Sequence, residues 1–432
     1  MKGSFAIVTL GCKTNQFESA AMAEQLEQAG YRRIDYSAGA DLVIVNTCTV
    51  TAATDSQSRN LIRRARRLNP ACRVVVTGCY AQIDPAAVQN LPGVDRVLGN
   101  EEKSELLHWL DADGPKVQVG DIRQARGVTF DLNAFGSRSR AFVQIQNGCN
   151  AFCSYCIIPH ARGPSRSALP QQVVDQVCKF CTAGFPEIVL TGIHIGGYGN
   201  DLQPPLSLAD LVRRLLDDTQ VSRLRLGSIE PQEVSMELID LVAHCERLCP
   251  HFHIPLQAGD DAVLKAMNRH YSVKDFRNLV EGIKLRVPQA AIGLDIITGF
   301  PGETENAFAN TLALVRDLPV THLHVFPFSK RPGTPAATMR HQISGTVARQ
   351  RAAELRALGE GKQAEYARGF IGKNLQVVVE GSKQGSKRHG LSVHYLPVEF
   401  DTDDHWNQRT ATVCVETTRQ GTLLGKLIDD VG

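Results

Sequence analysis

Cys149, Cys153 and Cys156 stand at C-x3-C-x2-C spacing, with an aromatic residue, Tyr155, just before the last cysteine. Three thiolates on one tight loop can hold three corners of a cubic iron–sulfur cluster and leave the fourth iron without a protein ligand. An open iron is a place to bind a substrate or cofactor, as a three-ligand zinc site leaves room for water. A structural zinc site is the competing reading, but it prefers four ligands in two pairs, and no fourth Cys or His lies at suitable local spacing. Chance clustering of buried thiols is a second.

Cys12, Cys48 and Cys79 are far apart in sequence, yet each immediately follows a predicted strand, in Leu-Gly-Cys12, Asn-Thr-Cys48 and Thr-Gly-Cys79. Open parallel sheets bind ligands at the carboxyl ends of their strands, so these cysteines can converge on one crevice. Gly11 and Gly78 leave space for a bulky inorganic group to approach the backbone. Asn15, Gln16, Asn46 and Gln82 can donate hydrogen bonds to sulfur or to turn backbone. Three ordinary buried thiols, behaving as small hydrophobes, are the alternative.

The elements that must position these residues read as α/β. In the first part, short β-branched runs (Phe5–Leu10, Leu42–Val45, Val74–Thr77, Val94–Leu98) alternate with helical patterns (Glu18–Ala29, Asp55–Leu68, Pro85–Leu91, Glu101–Leu110), the sign of a parallel sheet. Residues 1–112 form this open parallel domain, and the Gly-, Pro- and Arg-rich residues 113–138 read as a linker, with room for a hairpin. Residues 139–370 hold six further strand–helix units, with strands at Phe142–Gln146, Glu187–Leu190, Arg223–Gly227, Phe252–Pro255, Ile292–Ile297 and His322–Phe326. Six units predict an open or partial barrel, because a complete eight-unit barrel takes about 250 residues. Helices Gln171–Ala183, Ser207–Asp218 and Glu303–Asp317 separate the strands, and a long charged helix, Gly345–Gly369, closes the unit. Residues 371–432 alternate β-rich runs (Leu375–Val379, Leu391–Val398, Thr410–Val415, Leu423–Ile428) with Gly-containing turns and predict a small antiparallel barrel.

Bulk composition agrees. The chain has 432 residues, 43% of them hydrophobic, and its 12 cysteines come without a secretory signal, which points to metal or redox chemistry rather than a disulfide framework. No apolar run reaches transmembrane length, so the expectation is a cytoplasmic protein with no membrane partner. A net charge of +2 neither demands nor excludes nucleic acid.

The loop carrying Cys149, Cys153 and Cys156 resembles the signature of the radical S-adenosylmethionine (SAM) enzymes. Three boxes, Thr-Leu-Gly-Cys12-Lys-Thr-Asn-Gln16, Val-Asn-Thr-Cys48-Thr-Val-Thr51 and Thr-Gly-Cys79-Tyr-Ala-Gln82, resemble those of the methylthiotransferases within that superfamily, as do Pro159-His-Ala-Arg-Gly163 and Arg166-Ser167. The similarity runs over the whole chain, and the C-terminal part resembles a TRAM domain. It implies a 4Fe–4S cluster on Cys149, Cys153 and Cys156 that binds and cleaves SAM. It also implies a second 4Fe–4S cluster on Cys12, Cys48 and Cys79 that delivers sulfur. The expected reaction is insertion of a methylthio group into an unactivated C–H bond by a 5′-deoxyadenosyl radical. Residues 46–51 resemble the branch that acts on C2 of N6-threonylcarbamoyladenosine at position 37 of tRNA. Sister branches act on isopentenyladenosine in tRNA or on an aspartate of a ribosomal protein. A non-catalytic iron–sulfur RNA-binding protein is the reading of a different class.

Polar residues at the strand ends of the second unit are the candidate SAM contacts. They are Thr191 and Gly192, Ser228 and Glu230, Gln257, Asp295 and Phe326, together with Tyr155. Candidate tRNA contacts are Arg63 and Arg67 on the basic helix after Cys48, Arg162 and Arg166 beside the cysteine loop, and Lys387 and Arg388 in the tail, where Tyr395 and Trp406 can stack on bases. His194, His253 and His324 lie at strand ends near the proposed cavity. Cys178/Cys181 and Cys245/Cys249 read as packing thiols on helices. An electron donor such as flavodoxin or ferredoxin and a sulfur donor are the remaining expected partners.

Overall fold

The computed structural model describes residues 2–111, 114–128, 132–133, 135–136, 138–384, 387–402 and 409–428. Trp406 and the expected boundary at residues 112–113 lie outside them.

The first sheet is wholly parallel, in the order Arg32–Arg33, Ser4–Thr9, Leu42–Thr47, Arg73–Gly78, Arg96–Leu98, Val117–Gln118. Its central strands, Leu42–Thr47, Arg73–Gly78 and Arg96–Leu98, are buried on both faces, as crossover helices require, whereas the edge strand Arg32–Arg33 is exposed. Leu42 and Ile44 pack with Phe5, Met22, Leu26 and Leu106, while Val43 and Val45 pack with Ile62, Val74, Val76 and Val88. Alternate residues feed opposite cores because side chains alternate along a strand. Three adjacent strands, Ser4–Thr9, Leu42–Thr47 and Arg73–Gly78, end level with one another: Thr9 pairs with Asn46, and Thr47 with Gly78. The expected linker is more than a tether. Val117–Gln118 adds the sixth strand, and Leu132 and Phe135 are buried in the central core, where Phe135 meets Phe17 and Phe142.

The central unit is the partial barrel. Strands Arg140–Gln144, Glu187–Thr191 and Leu224–Leu226 form one parallel group, and His251–His253, Ala291–Thr298 and His322–Pro327 another. A parallel bridge between Ser228 and His253 joins the two groups in sequence order. The barrel's first and last strands, Arg140–Gln144 and His322–Pro327, do not pair with each other. Helix Lys13–Gln28 of the first sheet packs on Arg140–Gln144, and helix Gly345–Arg368 packs on His322–Pro327.

The tail is a closed five-stranded barrel of Asn374–Gln384, Lys387–Ser392, Pro397–Asp401, Thr422–Leu427 and Thr410–Arg419, in that order. It departs from the sequence reading in two ways. The run expected as one strand over Leu391–Val398 is a hairpin that turns at Tyr395, whose φ is +60°. Closure uses one parallel pairing, of Pro397–Asp401 with Thr422–Leu427, among otherwise antiparallel ones.

A buried ionic cluster ties the tail to the barrel. Glu187 accepts from Arg225 at 2.8 Å and is ion-paired with Arg223 at 2.6 Å, and Arg225 and Arg223 donate onward to the Ser392, Val393 and Leu391 carbonyls of the tail hairpin. Burial alone would push the Glu187 carboxyl up; Arg225 and Arg223 outweigh it and hold it at about 2. Replacing Glu187 by Ala strands buried guanidinium groups, and we expect a loss of about 3–5 kcal/mol. The check is chemical denaturation together with limited proteolysis, in which the tail should be cut earlier than in the unaltered chain.

Candidate active site

The level strand ends of the first sheet bring Cys12, Cys48 and Cys79 together. Gly11 has φ +94°, and a Cβ there would lie 2.8 Å from the Cys48 sulfur; Gly78, also at +94°, presses on Thr47 and Asn46. Only glycine allows both this conformation and this approach. Asn15 fixes the turn by donating to the Leu10 carbonyl at 2.7 Å and the Thr47 carbonyl at 3.0 Å.

Beneath these cysteines lies a fully buried charge network. Lys103 meets Glu18 at 2.5 Å, and Arg162 meets the other oxygen of Glu18; all three side chains have zero exposure. Arg162 also donates from Nε to Cys79 Sγ at 3.2 Å and from Nη2 to Asn15. Asn100 accepts from Lys103 at 2.7 Å and donates to the Ala161 carbonyl at 2.7 Å. Two cations against one carboxylate leave one positive charge buried. The Lys103 amine is accordingly pushed down, by burial first and then by Arg162. Three thiolates around a doubly positive 4Fe–4S core carry one net negative charge, the complement of that surplus. Donor set and surroundings therefore fit such a cluster.

The second set sits on a loop gripped from both sides. Gly148 has φ +72°, and any Cβ there would collide with the Pro164 carbonyl. Ser154 N donates to the Met267 carbonyl at 3.0 Å, and Asn268 donates to the Phe152 carbonyl at 3.1 Å. Cations face these sulfurs too. Arg269 Nη1 is 3.3 Å from Cys153 Sγ and is paired with Glu230, while His194 Nδ1 is 3.6 Å from Cys149 Sγ with Glu233 2.9 Å behind it. Burial opposes charging of His194, but Cys149 and Glu233 outweigh it and hold its pKa at about 10. This set also fits a cluster.

The two sets open onto one cavity of about 530 Å³. Cys12, Cys48, Thr51 and Thr54 form one wall, with Tyr155, Cys156, Gln257, Asp295, Phe326 and Phe328 opposite. Asp295 Oδ1 lies 2.9 Å from His253 Nε2 and 3.4 Å from His324 Nδ1. Burial works against ionising Asp295, but the two imidazoles outweigh it and hold the carboxyl well below its usual range. These three side chains also bring ligand atoms within 4.8 Å of one another, close enough to grip a metal ion.

Among the other expected SAM contacts, Thr191 is the last residue of its strand and Gly192 follows it, and Ser228 is exposed and bridged to His253. None of the three, nor Glu230, is in the lining of the shared cavity; Glu230 is taken up by Arg269.

The expected RNA contacts divide sharply. Arg162 and Arg166 are not free for substrate: Arg162 is enclosed with Glu18, and Arg166 is buried between Glu101, at 2.6 Å, and the Arg162 carbonyl, at 2.7 Å. Arg388 is 2% exposed, inside the tail barrel, and Lys387 is paired with Glu399. Tyr395 is not available for stacking on bases, because its ring lies against His251 at 4.3 Å and His322 at 5.2 Å. Arg63 and Arg67 are exposed on helix Ala52–Leu68 and, with Arg59, follow i, i+4, i+8 spacing along one face. Arg66, in contrast, is tied to Asp95 at 2.7 Å. Cys178, Cys181 and Cys245 pack against the central core. Glu18, Lys103, Asn100 and Arg269 escaped the sequence reading; the signal was available for Glu18 alone, a carboxylate on the apolar face of its helix between Phe17 and Met22.

Residues 4–99 match the family described as Uncharacterized protein family UPF0004, and residues 143–315 match the Radical SAM superfamily. The threonylcarbamoyladenosine tRNA methylthiotransferase MtaB of Bacillus subtilis is 40% identical over 90% of this chain and 88% of its own. Its counterpart in Thermotoga maritima is 36% identical over 91% and 90%. The chain belongs to the radical SAM methylthiotransferase family. A tRNA-2-methylthio-N(6)-dimethylallyladenosine synthase of Desulfitobacterium hafniense is 33% identical over 97% of both chains. Among solved structures, the radical SAM methyltransferase TsrM of Kitasatospora setae, with cobalamin and a 4Fe–4S cluster bound, shares the fold at TM-score 0.56 and 20% identity, covering 78% of this chain and 77% of that one. As a member of this family the chain is an enzyme, and its cofactors are SAM and 4Fe–4S clusters. No helix among the described residues is long and apolar enough to cross a membrane.

The thiols give a pH prediction for the iron-free protein. Burial, with Cys79 beside it, pushes the Cys48 thiol from about 9 up to about 12, and burial does the same to Cys156. A folded-state pKa above the unfolded one contributes stability that is complete below pH 9 and is lost as pH rises towards 12. The unfolding free energy of the iron-free chain should therefore fall above pH 9, by up to about 1.4 kcal/mol per pH unit per thiol, as read by chemical denaturation. Cys48→Ser with Cys156→Ser should flatten that slope.

Proposed function

We propose that the chain inserts a methylthio group at C2 of N6-threonylcarbamoyladenosine at position 37 of tRNA, beside the anticodon. The observation that supports this reading most is the single cavity in which Cys12 and Cys48 face Cys156. The choice of nucleoside follows the relatives named for it, which are 34% to 40% identical, against 32% and 33% for those named for dimethylallyladenosine.

In this reading Cys149, Cys153 and Cys156 hold the cluster that binds SAM, and Cys12, Cys48 and Cys79 hold the auxiliary cluster. With these groups bound, the chemistry available is one-electron cleavage of SAM and donation of sulfur to carbon. The chain's own residues bind, orient and shield. Arg162 and Lys103 offset thiolate charge on one side of the cavity, and Arg269 and His194 do so on the other. Thr191, Gly192, Ser228 and Glu230, which stand beside the cavity and outside its lining, would border the methionine end of SAM. Asp295, kept ionised by His253 and His324, offers an oxygen to a ribose hydroxyl, with Gln257 beside it. Tyr155, Phe326 and Phe328 would pack on the adenine of SAM and keep water out. Arg59, Arg63 and Arg67 meet the tRNA backbone, and Lys387 on the tail barrel adds a contact at its rim. A flavodoxin or ferredoxin supplies electrons, a separate donor supplies sulfur, and the reaction takes place in the cytoplasm.

The test is anaerobic incubation of the reconstituted protein with SAM, dithionite and tRNA carrying threonylcarbamoyladenosine. Mass spectrometry should find the methylthio nucleoside together with 5′-deoxyadenosine. Cys149→Ala should abolish SAM cleavage, whereas Cys48→Ala should keep cleavage and stop thiolation. A product on isopentenyladenosine tRNA or on ribosomal protein instead would reassign the substrate, and a folded, cluster-loaded protein that forms no product would be a binding protein.

The arginine stripe gives a second outcome. Arg63→Ala with Arg67→Ala should raise KM for tRNA about 3- to 10-fold and reduce the salt dependence of binding by about two phosphate contacts. An unchanged salt slope would remove these residues from the interface.

A further inference from the structure

The unpaired side of the central barrel holds a second space, a groove of about 580 Å³. Arg140 of the first barrel strand forms one side, His322, His324 and Phe326 of the last strand the other, and Tyr395 and Pro397 of the tail close it. The groove joins the reaction cavity at Phe326, which lines both. His324 lies 3.4 Å from Asp295, which faces the reaction cavity.

Polar groups in and around this groove lack partners. Both ring nitrogens of His251, which is 2% exposed, have no hydrogen-bond partner, nor has His322 Nε2. Gly293 is what admits the His322 ring, because a Cβ there would collide with it. Lys13, the first residue of the helix packed on Arg140–Gln144, makes no hydrogen bond or ion pair among the described residues, although its charge interacts with Arg140, Arg225 and Glu187. Five cations, Lys13, Arg140, Arg223, Arg225 and Arg356, stand around three carboxylates here, Glu187, Glu360 and Glu380. Glu360 stands on the groove's outer helix. A buried surplus of positive charge with unsatisfied nitrogens calls for an anionic ligand rich in hydrogen-bonding atoms.

We propose that this groove receives the carboxylate-bearing N6 substituent of the target adenosine, and that Lys13, His322 and His324 determine specificity for it. The proposal rests on the threonylcarbamoyladenosine reading and adds the means by which that nucleoside is chosen. The dimensions agree. Phe326, His324 and His322 point the same way along one strand, so successive positions are about 6.6 Å apart. The threonylcarbamoyl group extends about 5 Å from N6 to its carboxyl carbon. With the substituent entering the groove past Phe326, its carboxylate comes level with His324. An isopentenyl group offers the groove's polar groups nothing, and a site whose buried polar groups stay unpaired rejects such an analogue strongly.

The test compares three anticodon stem-loops with the reconstituted enzyme: one with threonylcarbamoyladenosine, one with its threoninamide analogue, which lacks the negative charge, and one with isopentenyladenosine. The unaltered enzyme should favour the carboxylate over the amide in kcat/KM by at least about tenfold. Lys13→Met, and separately His322→Phe, should shrink that preference to within about threefold at unchanged iron content per chain. Equal rates on carboxylate and amide in the unaltered enzyme would overturn the proposal while leaving the nucleoside assignment standing, and that comparison decides even where a variant fails to assemble. Full preference retained in both folded variants would also overturn it. Thiolation of the isopentenyl RNA alone would overturn the nucleoside assignment and this inference with it.

Discussion

One buried positive charge organises the molecule. Arg162 lies a few residues beyond Cys156 on the central unit, yet its guanidinium is enclosed by the first sheet, between Glu18, Asn15 and Cys79. A fully buried guanidinium is tolerated only where acceptors surround it, and removing one partner of such a group is far costlier than breaking a surface pair. The ion network therefore does two things at once. It locks the first sheet against the loop that follows the second cysteine set, and it leaves a charge surplus that only ionised sulfur nearby can offset. The spacing between the two cysteine sets is set by this contact, not by a flexible linker.

Other contacts reinforce the same docking. Arg331 on the loop after the last barrel strand reaches Asp55 at 2.7 Å, and Thr49, next to Cys48, donates to the same carboxylate at 2.8 Å. Ala52 N, at the start of the basic helix, donates to Ser329 at 3.1 Å. Arg166 reaches Glu101 across the opposite edge. Each contact joins a segment next to a cysteine with a segment next to the barrel mouth. A cavity walled by two separately folded units keeps its shape only if their relative position is fixed to a fraction of an ångström, and charge-assisted hydrogen bonds are short and directional enough to do it.

Much of this was legible in the sequence. Strand positions and cysteine placement could be read because both rest on local rules: β-branched runs place strands, and the residue after a parallel strand sits at the sheet's functional end. The three distant cysteines converge because their strands are neighbours in the sheet, which sequential βαβ connection makes the common outcome. The tail hairpin was read as one strand because its turn at Tyr395 carries neither Gly nor Asn; a tyrosine with positive φ persists there because its ring is held against His251 and His322. That support comes from the barrel, far away in sequence, and no local pattern announces it.

The arginines teach the opposite lesson. Arg63, Arg67, Arg162, Arg166 and Arg388 look equivalent as sequence, basic residues near cysteines or on a basic tail. What separates them is where a partner lies along the chain. Arg162 finds Glu18 and Arg166 finds Glu101, partners from another folded unit, so both become structural; Arg63 and Arg67 face outward along a helix. Long-range ion pairs carry no sequence signature, because any carboxylate in the chain is a candidate. Composition thus reports how much positive charge is present, whereas burial decides how much of it can reach a phosphate. Among the described residues Lys13, half-buried and without a hydrogen bond or ion pair, becomes the informative cation: a folded chain that pairs most of its buried charge leaves an unpaired one where a ligand can complete it.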